Sequence, residues 1–161
     1  MSHRLTDVGS APGDSSLKAS ALHRKTTPMK KTYHGSCHCG SVRYEVTADL
    51  AAGTLRCNCS ICTKARSWLK AVSPEDFRLL AGESDLTEYR FNSNRIRHLF
   101  CKHCGVRSFG WADLPQGGKM YVVYVNCLDD AEPDELTAAP VMFVDGRHDN
   151  FQSAPAETRH L

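Results

Sequence analysis

Between Val42 and Thr47, apolar and polar residues alternate: Val42, Tyr44 and Val46 on one side, Arg43, Glu45 and Thr47 on the other. A period of two places successive side chains on opposite faces of an extended chain, so this segment is predicted as a strand with one buried face. Thr87, Tyr89 and Phe91 repeat the pattern and end at the turn signal Asn92-Ser93-Asn94, after which Ile96, His98 and Phe100 begin another strand. Leu69 and Ala71 mark a further short extended run. Met120 to Val125 is apolar throughout and rich in β-branched and aromatic residues, which predicts a central strand. Val141 to Val144 makes a last one, closed by Asp145-Gly146. Helical signals are few. One turn is predicted near Pro74-Glu75-Asp76-Phe77 and another near Pro133-Asp134-Glu135-Leu136, each with proline at the helix start. No repeat of fixed period is present, and the domain reads as mainly β.

Cysteines punctuate these strands. Seven of the eight fall into three clusters: Cys37-His38-Cys39-Gly40, Cys57-Asn58-Cys59-Ser60-Ile61-Cys62 and Cys101-Lys102-His103-Cys104-Gly105. Spacings of one and two residues let a short turn aim two thiolates at one ion. The glycines after the first and third clusters suit the left-handed backbone with which such a turn ends. Neither of those pairs fills a tetrahedron alone, so each needs the other or the middle cluster. The middle spacing fits a turn entering a short helix. A closed structural zinc takes four protein ligands and a catalytic one keeps three, so four plus three suggests two sites with different jobs. A fourth partner for the middle cluster would be water, a substrate thiol, or His34, His38 or His103. The alternative is a wholly structural site completed by the eighth cysteine, Cys127, which equally reads as an ordinary buried residue.

Composition narrows the setting. The 161 residues are 41% hydrophobic and 24% charged with a formal net charge of +2, as expected of one globular domain. Bunched rather than scattered cysteines favour metal-bound thiolates in a reducing, cytoplasmic compartment over a disulfide framework. No run approaches the roughly 18 apolar residues of a membrane span. Residues 1–31 are poor in aromatics and rich in small polar residues, and are read as a flexible N-terminal tail, with Met29 a candidate true start and a presequence the runner-up. The folded domain is placed at 32–151, with 152–161 a C-terminal tail. From Arg56 to Arg107 there are ten Lys/Arg against five Asp/Glu, and from Ala112 to Leu161 three against nine, an asymmetry read as solvated surface.

The quoted clusters, with the segments Asn126-Cys127-Leu128-Asp129-Asp130 and Val144-Asp145-Gly146-Arg147-His148-Asp149-Asn150, resemble the glutathione-dependent formaldehyde-activating enzyme and centromere protein V family over about Tyr33 to Phe151. The resemblance implies a zinc-binding domain of the β-tent (Mss4-like) type, built from short antiparallel strands. It also implies two zinc ions: a structural one on Cys37, Cys39, Cys101 and Cys104, and a catalytic one on Cys57, Cys59 and Cys62. The activity it implies joins glutathione to formaldehyde, giving S-(hydroxymethyl)glutathione, a carbon–sulfur lyase reaction. One departure is Asn58, where many members carry histidine, so a proton-handling role for that side chain is lost here.

Three thiolates already give a zinc site a net charge of −1, which damps its Lewis acidity and leaves proximity as the better source of any rate gain. A non-catalytic thiol-binding or zinc-stabilised interaction module is therefore the alternative to a lyase. Glutathione's carboxylates would suit Lys64, Arg66, Arg95, Arg97 or Arg107, each otherwise a solvated surface charge. Trp68 and Trp111 follow cysteine clusters as pocket walls or core filling, and His98 and His103 have the pKa range of proton carriers. Nucleic acid is disfavoured as a partner, since residues 1–31 hold six Lys/Arg without a long run and no His pair at finger spacing follows a cysteine pair.

Overall fold

The structure, a computed structural model, describes residues 29–161. The expectations for residues 1–28 lie outside the described residues. Ten strands form two sheets. The smaller is antiparallel, in the order β1 (Lys31–Ser36), β2 (Arg43–Ala48), β5 (Phe77–Ala81). The larger has seven strands in the order β10 (Val141–Val144), β3 (Thr54–Cys57), β4 (Leu69–Val72), β9 (Lys119–Tyr124), β8 (Phe109–Asp113), β7 (Ile96–Cys101), β6 (Leu86–Tyr89). All its pairings are antiparallel except β10 with β3, where Val144 lies beside Cys57. Two short helices, α1 (Ser60–Ala65) and α2 (Pro133–Ala138), complete the fold. The mainly β expectation holds, with that one parallel pair as its exception.

The alternation in β2 does what its period predicts. Tyr44, Val46 and Ala48 are buried while Arg43 is exposed. Tyr44 anchors an aromatic core between the sheets, stacked on Phe77 at 5.3 Å, with Phe77 stacked in turn on Tyr121 at 4.3 Å. Its hydroxyl donates to the Ser108 carbonyl at 3.1 Å, so the buried phenol is satisfied. Predicted turns at Pro74 and Pro133 are present as a 3₁₀ turn (Pro74–Asp76) and as α2. A capping box closes the start of α2, Glu135 reaching back to the Glu132 amide at 3.0 Å.

Strand β9 is central, as its apolar run predicts, but only part of it is core. Val123 is fully buried and Tyr121 stacks on Phe77. Met120, Val122 and Tyr124, on the opposite face, line a cavity. The run is apolar throughout because each face has an apolar neighbour, one of them an open pocket. Strand β1 begins at Lys31, one residue before the expected boundary, and Lys31 pairs with Glu135 at 2.8 Å. At the other end, the Arg66 guanidinium donates to the His160 carbonyl and Leu161 lies beside α1.

Candidate metal centres and the adjoining pocket

Each cysteine cluster sits where a strand ends. Cys37 follows β1, and its carbonyl accepts the Gly40 amide at 3.0 Å. Cys101 ends β7, and its carbonyl accepts the Gly105 amide at 2.8 Å. Gly40 and Gly105 close these turns at φ 75° and 73°, the left-handed backbone expected of them. The two turns meet, and the Sγ atoms of Cys37, Cys39, Cys101 and Cys104 lie within 4.8 Å of one another. Cys39 Sγ is 3.6 Å from the sulfurs of both Cys37 and Cys101. A tetrahedron with zinc–sulfur bonds of about 2.3 Å has edges of about 3.8 Å, so the four sulfurs fit a zinc ion. Burial holds the Cys101 thiol up to about 11, while the Ser41 hydroxyl beside Cys39 draws that thiol down to about 6.

The middle cluster forms a second group. Cys57 ends β3, Cys59 is the N-terminal cap of α1 and Cys62 lies within it, their sulfurs again within 4.8 Å of one another. Hydrogen bonds from Cys57 and Cys62 pull Cys59 far below the ordinary thiol value, while the contact with Cys59 pushes Cys57 up and the contacts with Cys57 and then Cys59 push Cys62 up. A divalent cation, which favours thiolate on all three, fits this donor set.

The loop is fastened from behind by the turn after β10. Asn58, 6% exposed, donates from Nδ2 to Asp145 Oδ1 at 2.7 Å and accepts the Arg147 amide on Oδ1 at 2.9 Å. Asp145 also holds His148 Nδ1 at 2.7 Å. Gly146 lies against the sulfurs so closely that a Cβ there would sit 2.5 Å from Cys57 Sγ. Sequence reasoning read Asp145-Gly146 as a turn and as part of the family resemblance; its place against the cysteines follows from the pairing of β10 with β3, which the sequence alone does not contain.

The remaining candidates are distributed unevenly. Cys127 joins neither group; its thiol points to the Arg107 carbonyl at 3.7 Å and is pushed up to about 11 by burial. His34 and His103 pair with Asp130 and Asp85 at 2.9 Å, His38 is exposed, and none of the three joins the middle cluster among the described residues. Trp68 donates to Thr54 Oγ1 at 2.7 Å and packs on the core, whereas Trp111 lines the cavity. Lys64, Arg66 and Arg95 are exposed. Arg107 departs from the solvated-surface expectation: it is 8% exposed, lies between the rings of Phe100 and Tyr124, and donates Nη2 to Ser67 at 3.1 Å.

Cys57, Cys59 and Cys62 open onto a cavity of about 170 Å³, which the four-cysteine group does not reach. His98 stands in its wall, 9% exposed, stacked on Phe91 at 5.4 Å, with no partner for Nε2 among the described residues. Burial, and secondarily the Arg107 charge, hold its pKa below the ordinary value and keep the ring neutral at pH 7.

A mainly β domain with a four-cysteine cluster, and a three-cysteine cluster at the mouth of a pocket, defines a class of protein whose thiols could hold metal ions. Comparison supplies the family. A sequence model described as glutathione-dependent formaldehyde-activating enzyme matches residues 32–145, and the chain belongs to that family. A Rhodobacter sphaeroides protein, whose crystal structure was solved as a structural-genomics target, is similar at 30% identity and a TM-score of 0.57 over 68% of this chain and 99% of its own.

Proposed function

We propose that the chain binds two zinc ions and joins a small, glutathione-like thiol to an aldehyde such as formaldehyde at the three-cysteine site. The observation that carries this reading is the asymmetry of the clusters: only Cys57, Cys59 and Cys62 face the cavity. Cys57, Cys59 and Cys62 would hold the ion, and an ion with three protein ligands would supply an open position that favours the deprotonated form of a thiol. The four-cysteine ion is structural in this reading, with Cys37, Cys39, Cys101 and Cys104 as its ligands.

The rest of the chemistry falls to the protein. The carbon–sulfur bond forms as the carbonyl π pair moves to oxygen, and that oxygen takes up a proton equal to the one the thiol gave up. His98, in the cavity wall with Nε2 unpartnered among the described residues, is the proposed hydrogen-bond donor to that oxygen, and the pocket would hold the two reactants together. Thiolate-rich sites need a reducing setting, and all eight cysteines are free, which supports a cytoplasmic location. Among the described residues no helix is long and apolar enough to cross a membrane.

The thiol-binding module without catalysis is favoured by one feature, the Asn58 side chain, which is fully engaged with Asp145 and Arg147 and carries no titratable proton. Formaldehyde consumption above the uncatalysed background, measured with glutathione on zinc-counted protein, separates the readings. Cys59→Ser is expected to stay folded with one zinc, lose glutathione binding and fall to background. Unchanged glutathione affinity in that variant rules out the site.

A further inference from the structure

The wall of the cavity is out of keeping with the polar thiol and one-carbon aldehyde of the family's namesake reaction. The middle strands of the large sheet turn Leu55, Leu69, Ala71, Ala112, Met120 and Val122 toward it, and Trp111 and Phe151 flank them. Phe151, at the rim, is half exposed. Buried polar atoms in this wall without a partner, among the described residues, are His98 Nε2 and Arg97 Nε. Arg97 is otherwise engaged: Nη1 donates to Glu88 at 3.1 Å, and the guanidinium lies 4.1 Å from the Trp111 ring centre. One N–H is less than the two-pronged grip a carboxylate draws from a free guanidinium.

Glutathione carries two carboxylates and an ammonium, and formaldehyde a single carbon. Neither offers apolar surface for this wall to cover. A dry apolar cavity of roughly 150 Å³ holds a benzene ring, and this cavity measures about 170 Å³. We propose that the site takes a thiol–aldehyde pair of which one member carries an apolar body of about aryl size, packed on β9 and Trp111, with the carbonyl oxygen directed to His98. The proposal rests on the thiol–aldehyde reading above. The apolar body can belong to the aldehyde or to the thiol, and the reaction is the same in both: one carbon–sulfur bond forms and the thiol's proton equivalent ends on the oxygen.

Two series of rate measurements on the two-zinc protein, each corrected for its uncatalysed background, distinguish the sources. One varies the aldehyde from formaldehyde to butanal to phenylacetaldehyde at fixed glutathione. The other varies the thiol from 2-mercaptoethanol to benzyl mercaptan at fixed formaldehyde. Covering an aryl group is expected to raise kcat/KM at least about tenfold along one series. Val122→Phe, which fills the cavity from β9, is expected to reduce that preference at least about tenfold, its folding checked by zinc count and thermal unfolding. Flat selectivity in both series, with turnover intact, overturns the proposal and leaves the thiol–aldehyde reading standing. If no pair is turned over, that reading fails, and tryptophan-fluorescence titration with benzyl mercaptan and 2-mercaptoethanol decides the ligand class alone. Tighter benzyl mercaptan binding that Val122→Phe weakens supports the apolar site; equal affinities overturn it.

Discussion

Gly146 offers the sharpest test of how the three-cysteine cluster is held. Its backbone is not left-handed, so alanine can adopt it, and in open space Gly→Ala would stabilise by about 0.4–1 kcal/mol through the unfolded chain. The space is not open. The new methyl would stand 2.5 Å from Cys57 Sγ and 3.4 Å from Cys59 Cβ and the Phe151 ring. Nonbonded heavy atoms prefer about 3.5–4.0 Å, so the first contact is short by about 1 Å and either the sulfur or the turn must move. The turn is pinned by Asn58 and by the Asp145 amide, which reaches the Asn150 and Ser153 carbonyls at 3.0 Å. Overpacking of this kind costs about 1–3 kcal/mol, which outweighs the entropic gain and leaves about 1–2 kcal/mol against the variant. Expressed at Cys57, that is about a 5–30-fold loss of metal affinity. Competition with a chromophoric chelator is expected to show one zinc released more easily from Gly146→Ala and the other held as before. A variant that keeps both affinities and melts a few degrees higher than the parent would refute the argument that this close approach shapes the cluster.

Cys101→Ser is expected to destabilise the protein by more than about 4 kcal/mol, seen as aggregation or a lost unfolding transition, because a structural metal is folding energy. A soluble, cooperatively folded Cys101→Ser with one zinc missing contradicts the structural assignment. Asn58→Ala removes two hydrogen bonds from a buried amide and is expected to cost about 2 kcal/mol, read by chemical denaturation. Glu135 accepts from Lys31, Tyr33 and the Glu132 amide, and Lys31 first among these holds its carboxyl below the usual 4.5. Its contribution is therefore present above pH 4.5 and lost as pH falls through the lowered value. Glu135→Gln is expected to cost about 1 kcal/mol near pH 7, with the gap to wild type closing below pH 4.

Strands with one wet face were legible in the sequence because their alternation reports burial directly: Val42 to Ala48 and Ile96 to Cys101 are where the pattern places them. Four strands carried no such signal. Thr54–Cys57 is short, Lys31–Ser36 mixes Lys, Thr, His and Gly, Phe77–Ala81 carries the apolar Leu80 on its exposed face, and Phe109–Asp113 is interrupted by Gly110. Thr54–Cys57 and Phe77–Ala81 owe their strand state to partners distant in the chain, β10 and β2, which no local pattern contains, whereas Lys31–Ser36 pairs with β2, the next strand in sequence. The same limit applies to the site. Cysteine spacing shows that ligands converge in pairs and triplets, but the meeting of Cys37 with Cys101 depends on two sheets folding together. The cavity was hidden by its own chemistry. A pocket wall and a core wall are both apolar, so Met120 to Val125 reads the same in either case.

That ambiguity bears on why the two clusters differ. The four-cysteine group joins the end of β1, in the small sheet, to the end of β7, in the large one. An ion there would close a loop across more than sixty residues and tie the two sheets together, so its loss is expected to fall on the whole fold. The three cysteines lie within six residues, on a loop already fastened by Asn58, Asp145 and the β10–β3 pairing. An ion there would add little to chain closure, and in the proposed reading the fold can spare it. A site whose metal is not needed for folding can keep a position open for a ligand, and its setting at the mouth of an apolar cavity determines which ligand it admits. The proposed division between structural and reactive cysteines would thus follow from where in the topology each cluster falls, not from the cysteines themselves.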